Sequence, residues 1–387
     1  MSFLPPLRLT GAQVLHESGL QDADLFLSDG MIVETTPAHD IDLRGYLVLP
    51  GIIDLHGDGF EHHLSPRPSA PFDKRRALLS AASELAVNGI TTAWLAQSWS
   101  WEGGFRSGVA TQELLAALDK ARSEIALDMR VQIRLETHIL PEHDAVRAAV
   151  ALYGVDYVVF NDHLPEAVEL AEQRPERFAQ WAAQQGRDGD ALMALVRKAQ
   201  EQDPQVPDAL RALAQDFAAL GVRMGSHDDA TPETRAFFRD IGAAVCEFPT
   251  TVAAAQSARE AGDPIVMGAP NVVRGGSQSG NIAATDLIAA GLCDGLVSDY
   301  YYPALKQSVW ALVDRGLVDF ATAWRMISTG AADIAGLPDR GRLEPGQRAD
   351  IVVLNPGTRR VEMTLAAGRV AHLSGEIARR VIGIAAT

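Results

Sequence analysis

The feature that most narrows the fold is an alternation in the middle of the chain, where eight short apolar runs are separated by longer stretches rich in helix formers. The runs are Ile52–Leu55, Ile90–Ala96, Val131–His138, Tyr157–His163, Val222–His227, Ala244–Phe248, Ile265–Gly268 and Gly295–Ser298. Strands alternating with helix-length connections are the pattern of βαβ units and a parallel sheet. Eight such strands predict an α/β fold closed into a (β/α)8 TIM barrel. At 387 residues the chain exceeds the usual size of one core, so further elements are expected around the barrel.

The two ends supply them. Residues 7–49 alternate β-like runs (Leu7-Arg8-Leu9, Asp24-Leu25-Phe26-Leu27, Met31-Ile32-Val33, Tyr46-Leu47-Val48-Leu49) with turn signals such as Asp29-Gly30. The same texture returns at Ala349-Asp350-Ile351-Val352-Val353-Leu354 and Gly368-Arg369-Val370-Ala371. Residues 1–50 and 342–387 are therefore expected to pair into one small β domain, with the barrel on 51–341. A stretch of about 166–220 is too long for one crossover, dense in charge and punctuated at Gly186-Arg187-Asp188-Gly189 and Asp203-Pro204. It reads as inserted helices over the active-site face or at a homodimer contact, or equally as a plain solvated arm.

Bulk properties close off several functions. A net charge of −16 argues against sequence-independent nucleic-acid binding, which needs a surplus of Lys and Arg. It leaves a small anionic substrate open, because binding is set by the local pocket and long-range repulsion is screened. Two cysteines, Cys246 and Cys293, are too few for a disulfide framework and sit in apolar context. No run of about 18 apolar residues is present, and Met-Ser-Phe-Leu-Pro-Pro-Leu-Arg lacks the basic and apolar regions of a leader. The expectation is a cytoplasmic protein with no membrane partner.

Barrel active sites form at the C-terminal ends of strands, and His56, Asp58, Glu136, His138, His163, His227, Asp228 and Asp299 all fall at or just past such ends. His56-Gly57-Asp58 alone would pass for a surface turn. With histidines at two further strand ends, it reads as one corner of a divalent-metal shell of imidazole and carboxylate donors. The lysines Lys74, Lys120, Lys198 and Lys306 lie outside every candidate strand, so no lysine is placed to bridge two ions, and Glu136 is the natural substitute. Its alternative is an acid satisfied by nearby Arg134. Asp299, closing the last strand, is where a general base would take a proton from activated water.

A second constellation follows strand seven, Met267-Gly268-Ala269-Pro270-Asn271-Val272-Val273-Arg274-Gly275-Gly276-Ser277-Gln278-Ser279-Gly280-Asn281. Glycine-rich backbone there can present N–H groups to phosphate, with Arg274 adding a charged contact; a loop glycine-rich only for tight turns is the equal alternative. Trp99 and Trp101, after strand two, either stack on a ring or cap the barrel.

These segments, with Pro50-Gly51-Ile52-Ile53-Asp54-Leu55-His56-Gly57-Asp58, Ser65-Pro66-Arg67-Pro68, Gly225-Ser226-His227-Asp228-Asp229-Ala230-Thr231, Glu247-Phe248-Pro249-Thr250-Thr251 and Ser298-Asp299-Tyr300-Tyr301, resemble the PhnM-like phosphonate-metabolism branch of the amidohydrolase superfamily along the whole chain. The resemblance implies hydrolysis of α-D-ribose 1-methylphosphonate 5-triphosphate to the 5-phosphate and pyrophosphate, with one or two zinc ions. It implies a metal shell of His56, Asp58, Glu136, His163, His227 and Asp299, with Asp299 also catalytic. Arg67, Arg274, Gly275, Gly276 and Gln278 would bind the phosphorylated substrate. The chain departs from the family's usual Gly-Gly-Ser-His-Ser-Gly-Asn by carrying Gln278, which cannot titrate near neutrality. It also carries His-Gly-Asp-Gly-Phe in place of His-Thr-Asp-Asn-Leu. These departures keep open a paralogue that cleaves a C–N bond; a non-enzymatic protein that retains only the fold is disfavoured, because every expected ligand position is filled.

Overall fold

The computed structural model describes residues 4–67, 70–184, 186–277 and 280–385. The chain opens with β1 (Leu7–His16), β2 (Gly19–Ser28), β3 (Met31–Val33), β4 (His39–Asp42) and β5 (Leu47–Pro50). The barrel strands follow: β6 (Ile52–Gly57), β7 (Ile90–Trp99), β8 (Asp128–Glu136), β9 (Tyr157–Asn161), β10 (Arg223–His227), β11 (Val245–Glu247), β12 (Ile265–Gly268) and β13 (Gly295–Val297). The chain returns through β14 (Ile351–Asn355), β15 (Arg360–Ala366) and β16 (Arg369–Leu373).

Strands β6 to β13 pair in parallel in sequence order, and a bridge between Gly57 and Asp299 joins the two edges, so the sheet is the expected barrel. The chain ends form the second sheet, in the order β16-β15-β14-β5-β1-β2-β3, joined across the termini by the antiparallel β5–β14 pair. It is mixed rather than purely antiparallel, because β1 pairs in parallel with β4 and β5.

Alternation along each barrel strand decides what faces the site. In β9, Tyr157 and Val159 enter the barrel's interior cluster while Val158 and Phe160 pack outward under the helices. In β8, Ile133 and Leu135 join the outer core, which turns Gln132, Arg134 and Glu136 inward, since successive side chains point to opposite faces.

Several strands end earlier than the apolar runs suggest. Phe248, left-handed at φ 52°, ends β11 one residue before the run does, and Asp228 (φ 62°) and Asp299 (φ 54°), left-handed too, lie just past the ends of β10 and β13. His138 and His163 likewise lie in loops beyond β8 and β9. Conversely β7 runs on to Trp99, whose ring packs where a Gly108 Cβ would be 2.4 Å away and whose Nε1 donates to Glu142 at 2.5 Å. Trp99 is barrel wall.

Within the 166–220 stretch and its approach, helices Leu164–Gln173, Pro175–Gln184 and Gly189–Gln200 share a separate apolar cluster that includes Leu164, Phe178, Leu192 and Val196. The next helix, Val206–Ala219, instead packs Leu210, Leu213 and Phe217 into the main core. Among the described residues no helix is long and apolar enough to cross a membrane.

Candidate metal-binding active site

His56, next to last in β6, is wholly buried, and its Nδ1 lies 2.8 Å from Glu247 Oε2 at the end of β11. Glu247 also accepts from Tyr157 Oη at 2.6 Å and Gln132 Nε2 at 2.8 Å on its other oxygen. Burial works against its charge, but His56 and these donors hold the carboxyl below its ordinary pKa. A carboxylate only accepts, so Nδ1 carries the proton and Nε2 is left to face the barrel mouth. That Nε2 is buried with no hydrogen-bond partner among the described residues. Burial also opposes charging the ring, yet Glu247 raises the His56 pKa.

Two carboxylates converge on the same place. His56, Asp58 and Asp299 offer ligand atoms within 4.8 Å of one another, as do His56, His227 and Glu247. The backbone sets the first trio: Asp299 N donates to His56 O at 3.0 Å and Asp58 N to Asp299 O at 2.9 Å. Underneath, Asp54 accepts from Ser298 N at 2.9 Å and Ser298 Oγ at 2.5 Å, tying β6 to β13. Gly57 is forced by this packing. A Cβ there would stand 2.7 Å from Asp54 Oδ2 and Ser298 Oγ and 2.9 Å from the Tyr302 ring. Burial, followed by the like charge of Asp58, lifts the Asp299 carboxyl to about 6, as suits a group that exchanges protons near neutrality.

The other expected ligands divide into two pairs. His227 Nδ1 lies 2.9 Å from Asp228 Oδ2; burial raises the Asp228 carboxyl, but His227 outweighs it and brings the pKa to about 2. Glu136 and His163 pair with each other, Oε1 to Nδ1 at 2.6 Å. Glu136 also accepts from Asn161 Nδ2 at 2.7 Å, His163 N at 3.2 Å and Trp101 Nε1 at 3.2 Å. Both its oxygens are therefore engaged by protein donors, beside the His56–Asp58–Asp299 trio rather than within it. His138 bonds Asp203 at 2.9 Å, outside the site altogether.

A cavity of about 210 Å³ is bordered by His227, Asp228 and Asp299 of these groups and lined also by Arg134, Arg274, Gly276 and Ser277. Arg274 Nη1 lies 3.3 Å from Tyr300 Oη on its rim. Gly275, left-handed at φ 81°, closes the helix Ala269–Arg274 and lets the loop turn. Arg67 is exposed and is not brought to the cavity wall, and Gln278 lies outside the described residues. Sequence reasoning missed Glu247 and Arg134 as site residues. An acid at the end of the apolar Ala-Val-Cys-Glu run was the available signal for the first, and the arginine two residues before Glu136 for the second.

A family model described as the amidohydrolase family matches residues 57–372. Alpha-D-ribose 1-methylphosphonate 5-triphosphate diphosphatase of Escherichia coli (strain K12) is 31% identical over 331 residues, covering 81% of this chain and 84% of that enzyme. Adenine deaminase of Brucella abortus (strain 2308) is 26% identical over 91% of this chain, which spans only 54% of that protein. Among solved structures, the β-aspartyl dipeptidase of Fervidobacterium islandicum AW-1 superposes with a TM-score of 0.64 at 13% identity, covering 96% of this chain and 98% of that one. A triazine hydrolase variant gives 0.64 at 15% identity over 99% of both chains. At such identities these two show the fold alone.

Proposed function

The chain belongs to the amidohydrolase family, and on that premise we propose that it is a metal-dependent diphosphatase releasing pyrophosphate from α-D-ribose 1-methylphosphonate 5-triphosphate. The observation that carries this reading is the cavity, whose lining brings Arg274, Gly276 and Ser277 together with His227 and Asp299. Similarity to the Escherichia coli diphosphatase over 81% of the chain supports it.

The donors fit a divalent ion, with zinc the first choice: an orphaned imidazole Nε2 on His56 beside the carboxylates of Asp58 and Asp299. His56, Asp58 and Asp299 would hold it, with His227 alongside. When bound, such an ion supplies the positive charge that polarises a phosphoryl oxygen and activates water. The protein's own groups do the rest. Asp299 accepts the proton of the attacking water, Glu247 fixes the His56 ring, and Arg274 with the loop amides takes the charge gathering on the departing phosphates.

The adenine deaminase similarity favours a second reading, C–N cleavage on the same metal site. One assay separates them: the zinc-loaded protein is given the triphosphate or adenine, and pyrophosphate and ammonia are measured. Pyrophosphate release is expected, falling about 10²–10⁴-fold in Asp299→Asn, the range for loss of a general base. Ammonia from adenine without pyrophosphate from the triphosphate would overturn the diphosphatase reading.

A further inference from the structure

Arg134 is the group that the reaction outlined above leaves without a task. It projects inward from β8 between Gln132 and Glu136, lines the cavity with His227, Asp228 and Asp299, and its side chain is 11% exposed. A guanidinium carries five donors, and burial normally obliges them to be filled. Here Nε is buried with no hydrogen-bond partner among the described residues, and Asp58 Oδ2 stands 3.8 Å from Nη1, too long for a hydrogen bond. A guanidinium that lines the cavity with His227, Asp228 and Asp299 and comes within 3.8 Å of Asp58 lies among the expected ligands. Glu136, the expected bridge between two ions, and His163, expected in the same shell, are meanwhile bonded to each other.

We infer that Arg134 is the second cation of this centre, so that the site takes one divalent ion beside His56, Asp58 and Asp299, and the guanidinium receives an anionic oxygen of the substrate in place of a second ion. The inference rests on the phosphorylated-substrate reading for its ligand class. Its chemistry follows from the side chain: a planar fork with unfilled donors, held in a low-dielectric cavity, matches a phosphoryl or phosphonyl group, and a fixed positive charge among the ligands repels a second divalent ion.

The test reads metal content and anion binding, neither of which needs turnover. After zinc loading and removal of excess, the wild-type protein is expected to retain one ion per chain by elemental analysis; two ions would overturn the inference. Pyrophosphate binding to the zinc-loaded protein, followed by calorimetry, should weaken at least about tenfold in Arg134→Met, the least expected for losing a charge-assisted fork, with the single ion retained. Arg134→Lys keeps the charge without the fork and should fall between the two. Unchanged pyrophosphate affinity in Arg134→Met would sink the idea, and the wild-type ion count tests it even where a variant does not fold. A protein that binds pyrophosphate through Arg134 yet releases none from the triphosphate would lose its proposed substrate and keep this inference.

Discussion

At the scale of single residues, the glycine between His56 and Asp58 shows how a departure in sequence acquires a physical meaning. Read as a motif, His-Gly-Asp in place of His-Thr-Asp suggests a pocket reshaped for another substrate. In the structure the position faces down, against Asp54, Ser298 and the Tyr302 ring, and not into the cavity. Tyr302 is fully buried and fills the space that a side chain at 57 would need. Gly57→Thr is therefore expected to destabilise the fold by about 1–3 kcal/mol, the usual cost of overpacking a filled core. It should also disturb the Asp54–Ser298 link that aligns β6 with β13, lowering zinc retention. Urea unfolding and metal analysis would show this; a variant as stable as wild type with altered substrate preference would return Gly57 to the pocket.

At the scale of elements, the site is built where strands stop, and the stops are legible to different degrees. Runs buried on both faces announce the eight strands, and the polar residues that interrupt them mark the ends, which is why His56, Asp58, His227 and Asp299 are visible without coordinates. What that pattern lacks is rotation about the strand. Whether Arg134 faces the barrel or its helices depends on the register of β8 against β7 and β9, set by partners far away in sequence. Glu247 hid for the same reason, because its worth lies in meeting His56, 191 residues earlier. The left-handed residues were also out of reach, since nothing marks Phe248 as a residue at φ 52°. Such conformations cost free energy and persist only where surroundings impose them. Behind β10 the imposing group is Arg235, wholly buried, which bonds Ser226, Asp229 (3.0 Å) and the Ala243 carbonyl, holding the turn through Asp228 to the start of β11. Arg235→Met should cost about 3–5 kcal/mol, chiefly by leaving the Asp229 charge buried and unpaired. If that is the cause, adding Asp229→Asn recovers part of the loss in thermal unfolding; strictly additive effects would place the damage elsewhere.

Across the whole molecule, the two ends of the barrel carry opposite duties. The mouth gathers the candidate site, with Asp58, Arg134 and Asp299 beside one another, whereas the strand-entry end is stapled. Asp128, the first residue of β8, receives Arg130 Nη2 and Arg340 Nη1 at 2.7 Å each, and Arg340 also bonds Thr92 on β7. Arg348, leading into β14, approaches the same carboxylate at 3.8 Å. The carboxylate thus joins the barrel floor to the segment that re-enters the terminal sheet. Burial works against its charge, but the arginines dominate and hold its pKa at about 2. A carboxyl depressed in the folded state binds its proton more readily in the unfolded chain, so its stabilisation is present above the unfolded value of about 4 and is lost as pH falls through about 2. That depression corresponds to about 2 kcal/mol at neutral pH. Asp128→Asn should therefore melt lower than wild type at pH 7, with a gap that holds down to about pH 5 and narrows below pH 4, where the unfolded wild-type chain takes up a proton that the folded carboxylate still refuses. Zinc retention at pH 7 should be the same in both proteins, because the staple and the ligands lie at opposite ends of the strands. A gap that stays constant to pH 3 would mean that Asp128 stabilises by shape rather than by charge, and the floor of the barrel would need another account of its rigidity.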